Sequence, residues 1–127
     1  MLKIKSYVKV NSIAEAYELN QKKTACVLGG MVWLKMGNRN ISTAIDLSGL
    51  GLEGIRETDD EFVIGCMTSL RELETDKRLN EYTQGAIRES VRHIVGVQFR
   101  NCATVGGSIW GRYGFSDVLT MFLGMDT

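Results

Sequence analysis

The chain has 127 residues, 44% of them apolar, enough for one cored domain or two small lobes. Its 15 basic and 15 acidic side chains cancel, which argues against nucleic acid or an anionic membrane as the main partner. No apolar run approaches the ~18 residues that span a bilayer, and no secretory leader pattern opens the chain, so a cytoplasmic protein is expected.

Lys5 to Val10 alternates apolar and polar side chains and predicts a strand. Ser12-Ile13-Ala14-Glu15 has the spacing of a capping box, so a helix is expected from Ile13 to Lys22, with Ile13, Ala16 and Tyr17 on its apolar stripe. Thr24 to Leu28 predicts a second strand, ended by Gly29-Gly30, and Ala44 to Leu47 a third, with Ile41 leading in. The order strand, helix, strand, turn, strand predicts an α/β lobe with parallel pairing. The glycines at 49, 51 and 54 mark a loop, and the boundary between two sublobes is placed there, giving 1–52 and 53–127. A hairpin follows over Gly54 to Cys66, turning at Thr58-Asp59-Asp60, with Ile55, Phe62 and Ile64 as its core residues. Thr68 or Ser69 can cap a helix to Glu74, with Ser69 and Glu72 spaced as a second capping box, and a single helix is expected over Asn80 to Ile94 with Ile87, Val91, Ile94 and Val95 inward. After Gly96 come a short apolar strand, a second double-glycine turn, an aromatic-rich loop, and a helix over Ser116 to Gly124.

Catalytic groupings are scarce. His93, the lone histidine, has no nucleophile nearby in sequence. Ser108 and Ser116 lack the G-x-S-x-G elbow, and no P-loop is present. Asp59, Asp60 and Glu61 read as a solvent-facing turn. Cys26, Cys66 and Cys102 are odd in number and without C-x-x-C spacing, so reduced, mostly buried thiols are expected and no metal site is indicated. Any redox or group-transfer chemistry must then come from a cofactor. The two double-glycine turns are where one could bind. Successive N–H groups there can converge on phosphate oxygens, with glycine permitting φ > 0. Lys3, Lys5, Lys9, Lys22, Lys23, Lys35 and Arg39 against Glu15 and Glu18 give the first 40 residues a charge of +5, which favours an anionic ligand or is simply a solvated face. Around Gly106-Gly107, Arg100, Asn101, Thr104 and Ser108 offer a cation and small donors, and Trp110, Arg112, Tyr113 and Phe115 add flat surfaces.

Phe99-Arg100-Asn101-Cys102-Ala103-Thr104-Val105-Gly106-Gly107-Ser108-Ile109, followed by Ser116-Asp117-Val118-Leu119, resembles the R-N-x-A-T-[IV]-G-G-[NS]-[IL] … [SA]-D-L signature of the FAD-binding subunit of molybdenum hydroxylases. That is the family of xanthine dehydrogenase, carbon monoxide dehydrogenase and hydroxybenzoyl-CoA reductase. Tyr7 to Ala16 is similar to the family's Y-x-x-P-x-[ST]-x-x-E-A opening, with Val10 in place of proline. Gly29-Gly30 matches its A-G-G-T-D-L loop, and Ile45-Asp46-Leu47-Ser48 its V-D-L-S strand.

The resemblance implies two small α/β sublobes of the family's FAD-binding fold (an α+β arrangement), the second incomplete, because the family's subunit is roughly twice this length. It implies that Val27, Leu28, Gly29, Gly30, Met31, Val32, Trp33 and Leu34 form one FAD-binding loop, and Thr104, Val105, Gly106, Gly107 and Ser108 the other. A single dinucleotide would be held between the two lobes. Asp117 matches an acidic residue that contacts the cofactor, and Ile94 a position where some relatives place an aromatic. Met31-Val32-Trp33 stands where many relatives have Thr-Asp-Leu, so main-chain donors hold that side alone, and Trp33 either packs on the flavin or belongs to the core. The implied activity is electron transfer from a [2Fe-2S] iron–sulfur subunit through FAD to NAD or another acceptor, with substrate hydroxylation on a separate molybdopterin-binding subunit. Two rivals remain: a cofactor-free interaction or scaffold fragment of the same fold, and a free-standing nucleotide-binding module.

Overall fold

The computed structural model describes residues 1–125 and 127. The chain divides into two compact units, Met1–Leu52 and Glu53–Thr127.

The first unit is a three-stranded parallel sheet in which β3 (Asn40–Asp46) lies between β1 (Lys3–Lys9) and β2 (Ala25–Leu28). A parallel sheet needs cover on both faces. On one face Ala16 of α1 (Ile13–Asn20) packs with Val10, Ala25 and Ile45, flanked by Val8, Leu19, Leu47 and Leu50. A second cluster joins Leu28, Ile41 and Ala44 with Leu2, Cys26, Met31 and Leu34. The α1 stripe differs from the expected one: Ile13 and Tyr17 are exposed, and Ala16 and Leu19 face the sheet. Ser12 caps the helix as expected, its Oγ accepting from the Glu15 N–H at 3.1 Å. The Glu15 carboxylate reaches back one residue further than a capping box requires, to the N–H of Asn11.

In the second unit β4 (Ile55–Glu57) and β5 (Phe62–Ile64) form the expected antiparallel hairpin. Helices α2 (Leu70–Thr75), α3 (Lys77–Tyr82), α4 (Ala86–Val91), α5 (Val97–Cys102), α6 (Val105–Trp110) and α7 (Asp117–Gly124) follow. Leu70, Leu73, Leu79, Ile87, Val91, Ala103, Val105, Val118 and Phe122 are its buried apolar residues. The capping box at Ser69 is complete: its Oγ accepts from the Glu72 N–H, and the Glu72 carboxylate accepts from the Ser69 N–H.

Two expectations fail here for identifiable reasons. The single helix over Asn80 to Ile94 is two helices, because Gln84 and Gly85 adopt φ of 51° and 82°. Gly85 N–H bonds Asn80 O at 2.7 Å and Gln84 N–H bonds Glu81 O at 3.2 Å, the paired bonds of a Schellman stop. Asn80 ties the corner together, donating through Nδ2 to Leu73 O and Asp76 O and accepting the Arg88 N–H. The strand expected after Gly96 is instead α5, since short apolar runs fit either element and tertiary contacts decide between them. Its helical turn brings Arg100 inside, 5% exposed.

Arg100 Nε donates to Glu74 Oε2 at 2.7 Å and Nη1 to Ile94 O at 3.1 Å, joining α5 to α2. Arg100 and then Arg71 hold the Glu74 carboxyl below the usual carboxylate range. Glu74→Gln should therefore lower the unfolding free energy by about 3 kcal/mol, because it strands a buried guanidinium. Since the folded value is lowered, the stabilisation is present above the ordinary glutamate value and is lost as pH falls through the lowered one. Urea unfolding at about pH 7 and about pH 3 should show a flatter acid-side decline in Glu74→Gln than in the parent, and equal slopes would contradict this.

Candidate functional site

In a parallel sheet ligands bind at the carboxyl ends of the strands. The first glycine pair stands there: Leu28, the last residue of β2, is in register with Asp46 at the end of β3, and Gly29-Gly30 follow at once. The expected left-handed glycines are absent, since neither Gly29 nor Gly30 has positive φ. Met31 takes that conformation instead, at φ 60°, at a cost of about 1–2 kcal/mol for a residue with a side chain. Packing of Met31 and Leu34 against Leu28, Ile41 and Ala44 opposes that cost and folds the loop back over the sheet. Met31 O then accepts from Lys35 N–H at 2.9 Å, leading into a 3₁₀ turn over Leu34–Met36.

Among the described residues, the N–H groups of Gly29, Gly30, Met31 and Val32 donate to no backbone carbonyl. Val27 is exposed in β2, and Trp33 is 44% exposed, which removes it from the core. Beside the loop, Asp46 accepts from the Tyr7 hydroxyl and from the N–H and Oγ of Ser48, both at 2.8 Å. Tyr7 foremost, then Ser48, lowers the Asp46 carboxyl below its usual range, and the same bond raises the Tyr7 hydroxyl. This cluster was not anticipated, because no linear spacing joins Tyr7 to Asp46 across two β-strands.

The second glycine pair lies in a helix, not in a strand-ending turn. Thr104 is the N-cap of α6, and its Oγ accepts the Gly107 N–H at 3.2 Å. Val105 N–H bonds Thr68 O at 2.9 Å, Gly106 N–H bonds Cys66 O at 2.8 Å, and Ser108 N–H bonds Thr104 O at 3.0 Å. The Ser108 hydroxyl also donates to Thr104 O. Gly106 and Gly107 both have ordinary φ. A Cβ on Gly106 would stand 2.7 Å from Cys66 O, whereas Gly107 is exposed.

Other candidates are more scattered. Arg100 is a buried structural cation, not one offered to a ligand. Ile94 is half-buried and its carbonyl accepts from Arg100. Asp117 is exposed in the first turn of α7, where a carboxylate favours the helix terminus, and borders an open groove with Ser90, Thr120 and Met121. His93 is exposed and accepts from Arg92 Nε. Cys66 and Cys102 are exposed, correcting the expectation of mostly buried thiols. No group of metal-ligating side chains occurs among the described residues.

A family model, the FAD binding domain in molybdopterin dehydrogenase, matches residues 2–127. Among solved structures, the chain is similar to a chain of the Cu,Mo-CO dehydrogenase in its cyanide-inactivated form, with TM-score 0.78, 29% identity, and coverage of 87% of this chain and 41% of that one. A chain of carbon monoxide dehydrogenase from Hydrogenophaga pseudoflava, lacking the Mo-pyranopterin moiety, matches with TM-score 0.70 and 30% identity, over 82% of this chain and 38% of that one. Quinoline 2-oxidoreductase from Pseudomonas putida 86 matches with TM-score 0.72 over 82% and 38%, and at 22% identity it speaks to the fold alone. The chain thus spans about two fifths of the length of these structural relatives. Curated protein sequences give no significant match.

The contact at Gly106 sets a measurable requirement. Gly106→Ala should lower Tm by more than about 5 °C, because its Cβ would press on backbone instead of a yielding side chain. An unchanged Tm in thermal unfolding would contradict this close approach.

Proposed function

The chain belongs to the family of FAD-binding domains in molybdopterin dehydrogenases, and on that premise we propose that it serves as the FAD-binding electron-transfer component of a molybdopterin-dependent hydroxylase or dehydrogenase. The cofactor is FAD. When bound, it supplies the reversible uptake and release of electrons for which this chain has no side-chain chemistry.

The observation that carries this reading is the Gly29–Val32 loop. Four successive amides without backbone acceptors, at the carboxyl end of parallel strands, fit the oxygens of a pyrophosphate. The first unit reinforces the fit, since Lys3, Lys5, Lys9, Lys22, Lys23, Lys35 and Arg39 against Glu15, Glu18 and Asp46 leave it at +4. The absence of a Cβ at Gly29 and Gly30 permits close approach of a ligand, and Trp33 presents an exposed flat surface next to them. Asp46, fixed by Tyr7 and Ser48, anchors the end of the neighbouring strand. Within the second unit, Gly107 and Asp117 are exposed, and both belong to the cofactor-contacting set in this reading.

The partners in this reading are a molybdopterin-binding subunit and a [2Fe-2S] subunit, with NAD as the acceptor, in the manner of xanthine dehydrogenase. The setting is cytoplasmic. No described helix is long and apolar enough to cross a membrane. The similarity to a chain of the Cu,Mo-CO dehydrogenase supports the assembly.

Titration of the purified chain with FAD should give saturable binding at micromolar concentration, seen as perturbed oxidised-flavin absorbance. ADP and ATP should compete poorly. Gly30→Val should weaken FAD at least about tenfold without lowering Tm, and Asp117→Ala should weaken it with the fold intact. A colourless protein that binds no FAD would favour the scaffold reading, and equal binding of ADP and FAD a general nucleotide module.

A further inference from the structure

We infer that the outer edge of β1 is a docking site for an extended segment of a partner polypeptide whose side chains alternate acidic and apolar, joined to the parallel sheet as an added strand. The inference does not draw on the cofactor. β1 pairs with β3 on one side only, in a constant register from the Lys3 and Asn40 pair to the Lys9 and Asp46 pair. Its other side has no strand opposite it. Such edges are ordinarily blunted by shortness, proline, a bulge or charge. β1 has seven residues, against four in β2 at the opposite edge, and the chain contains no proline. Charge is the device this edge uses, and it discriminates where the others would block: a cationic strand is repelled and an anionic one attracted.

Alternation along the strand sorts that charge onto one face. Val8 and Val10 pack in the cluster built on Ala16 of α1, so the even positions face that helix, and Ile4, 39% exposed, lies on the same face. Lys3, Lys5 and Lys9, all exposed, share the opposite face. Among the described residues none of the three is in an ion pair. Asp46, the carboxylate in register with Lys9, is already engaged by Tyr7 and Ser48. An added strand presents its side chains with the same period of two, main-chain bonds supplying affinity and alternate side chains specificity. Carboxylates on one face would answer the lysines, and apolar side chains on the other would continue the layer of Ile4 and Val8. A nucleic acid would answer the lysines alone and leave the main-chain edge unpaired, so the observations favour a polypeptide.

A synthetic peptide of about eight residues alternating glutamate and valine tests this on the full chain. The comparisons are an alternating lysine–valine peptide, the glutamate–valine peptide N-methylated throughout its backbone, and flexible polyglutamate. By fluorescence anisotropy the glutamate–valine peptide should bind at least about tenfold more tightly than each of these. On the ¹⁵N-labelled chain its largest amide shifts should fall within Lys3–Lys9. The triple variant Lys3→Glu, Lys5→Glu, Lys9→Glu should reverse the preference, towards lysine–valine. Equal binding of polyglutamate or of the N-methylated peptide would reduce the site to a patch of charge and overturn the inference. Shifts confined to residues outside β1, or no binding of the glutamate–valine peptide, would overturn it as well. The comparison among peptides uses the unaltered chain, so it decides the matter even where the triple variant does not fold.

Discussion

The second unit depends on a short backbone seam between residues 66–70 and 103–106. Leu70 N–H bonds Ala103 O, Val105 N–H bonds Thr68 O and Gly106 N–H bonds Cys66 O, with Ser69 and Thr104 paired as an antiparallel bridge. From the buried centre of this seam the Thr68 hydroxyl donates to Gly54 O, tying in the start of the hairpin. The seam joins the entrance of α2 to the α5–α6 junction, and the Glu74–Arg100 pair fastens α2 and α5 a second time. Backbone bonds are worth only about 1 kcal/mol each net, but leaving one unmade in a buried place costs more. The residue types along the seam follow from that constraint.

In the first unit the constraint is coverage. β3 is central and buries Ile41, Ala44 and Ile45, and among the described residues the first unit has one α-helix to cover it. The glycine loop supplies the second layer by turning Met31 and Leu34 back onto the sheet. The turn that completes the core is therefore the same turn that leaves four amides without backbone partners at the strand ends. Folding and ligand recognition draw on one conformational requirement, met by an αL methionine held in place by packing.

Elements whose signals are local were legible in the sequence. The caps at Ser12 and Ser69, the three strands of the first unit and the hairpin turn all carry their own punctuation. What escaped prediction was set by distant residues. Gln84 is a poor advertisement for a left-handed stop, and only Asn80, which bridges Leu73, Asp76 and Arg88, makes the corner hold. The run after Gly96 looks strand-like until Glu74 is known to wait for Arg100. The glycines of the second motif pointed to flexible turns, yet Gly106 owes its identity to Cys66, 40 positions earlier. The pattern R-N-C-A-T-V-G-G-S identified the family while leaving unstated which of its groups face inward.

β1 is an edge strand, and six of its seven residues are exposed. A row of open N–H and C=O groups on such an edge invites another copy of the chain to pair with it. Lys3, Lys5 and Lys9 place ammonium groups along that edge, so two copies approaching strand to strand meet like charges. These three primary amines are required by no hydrogen bond of the sheet. Neutralising them by acetylation would leave the fold's bonding intact and turn the edge into a template for aggregation, which light scattering before and after acetylation would register.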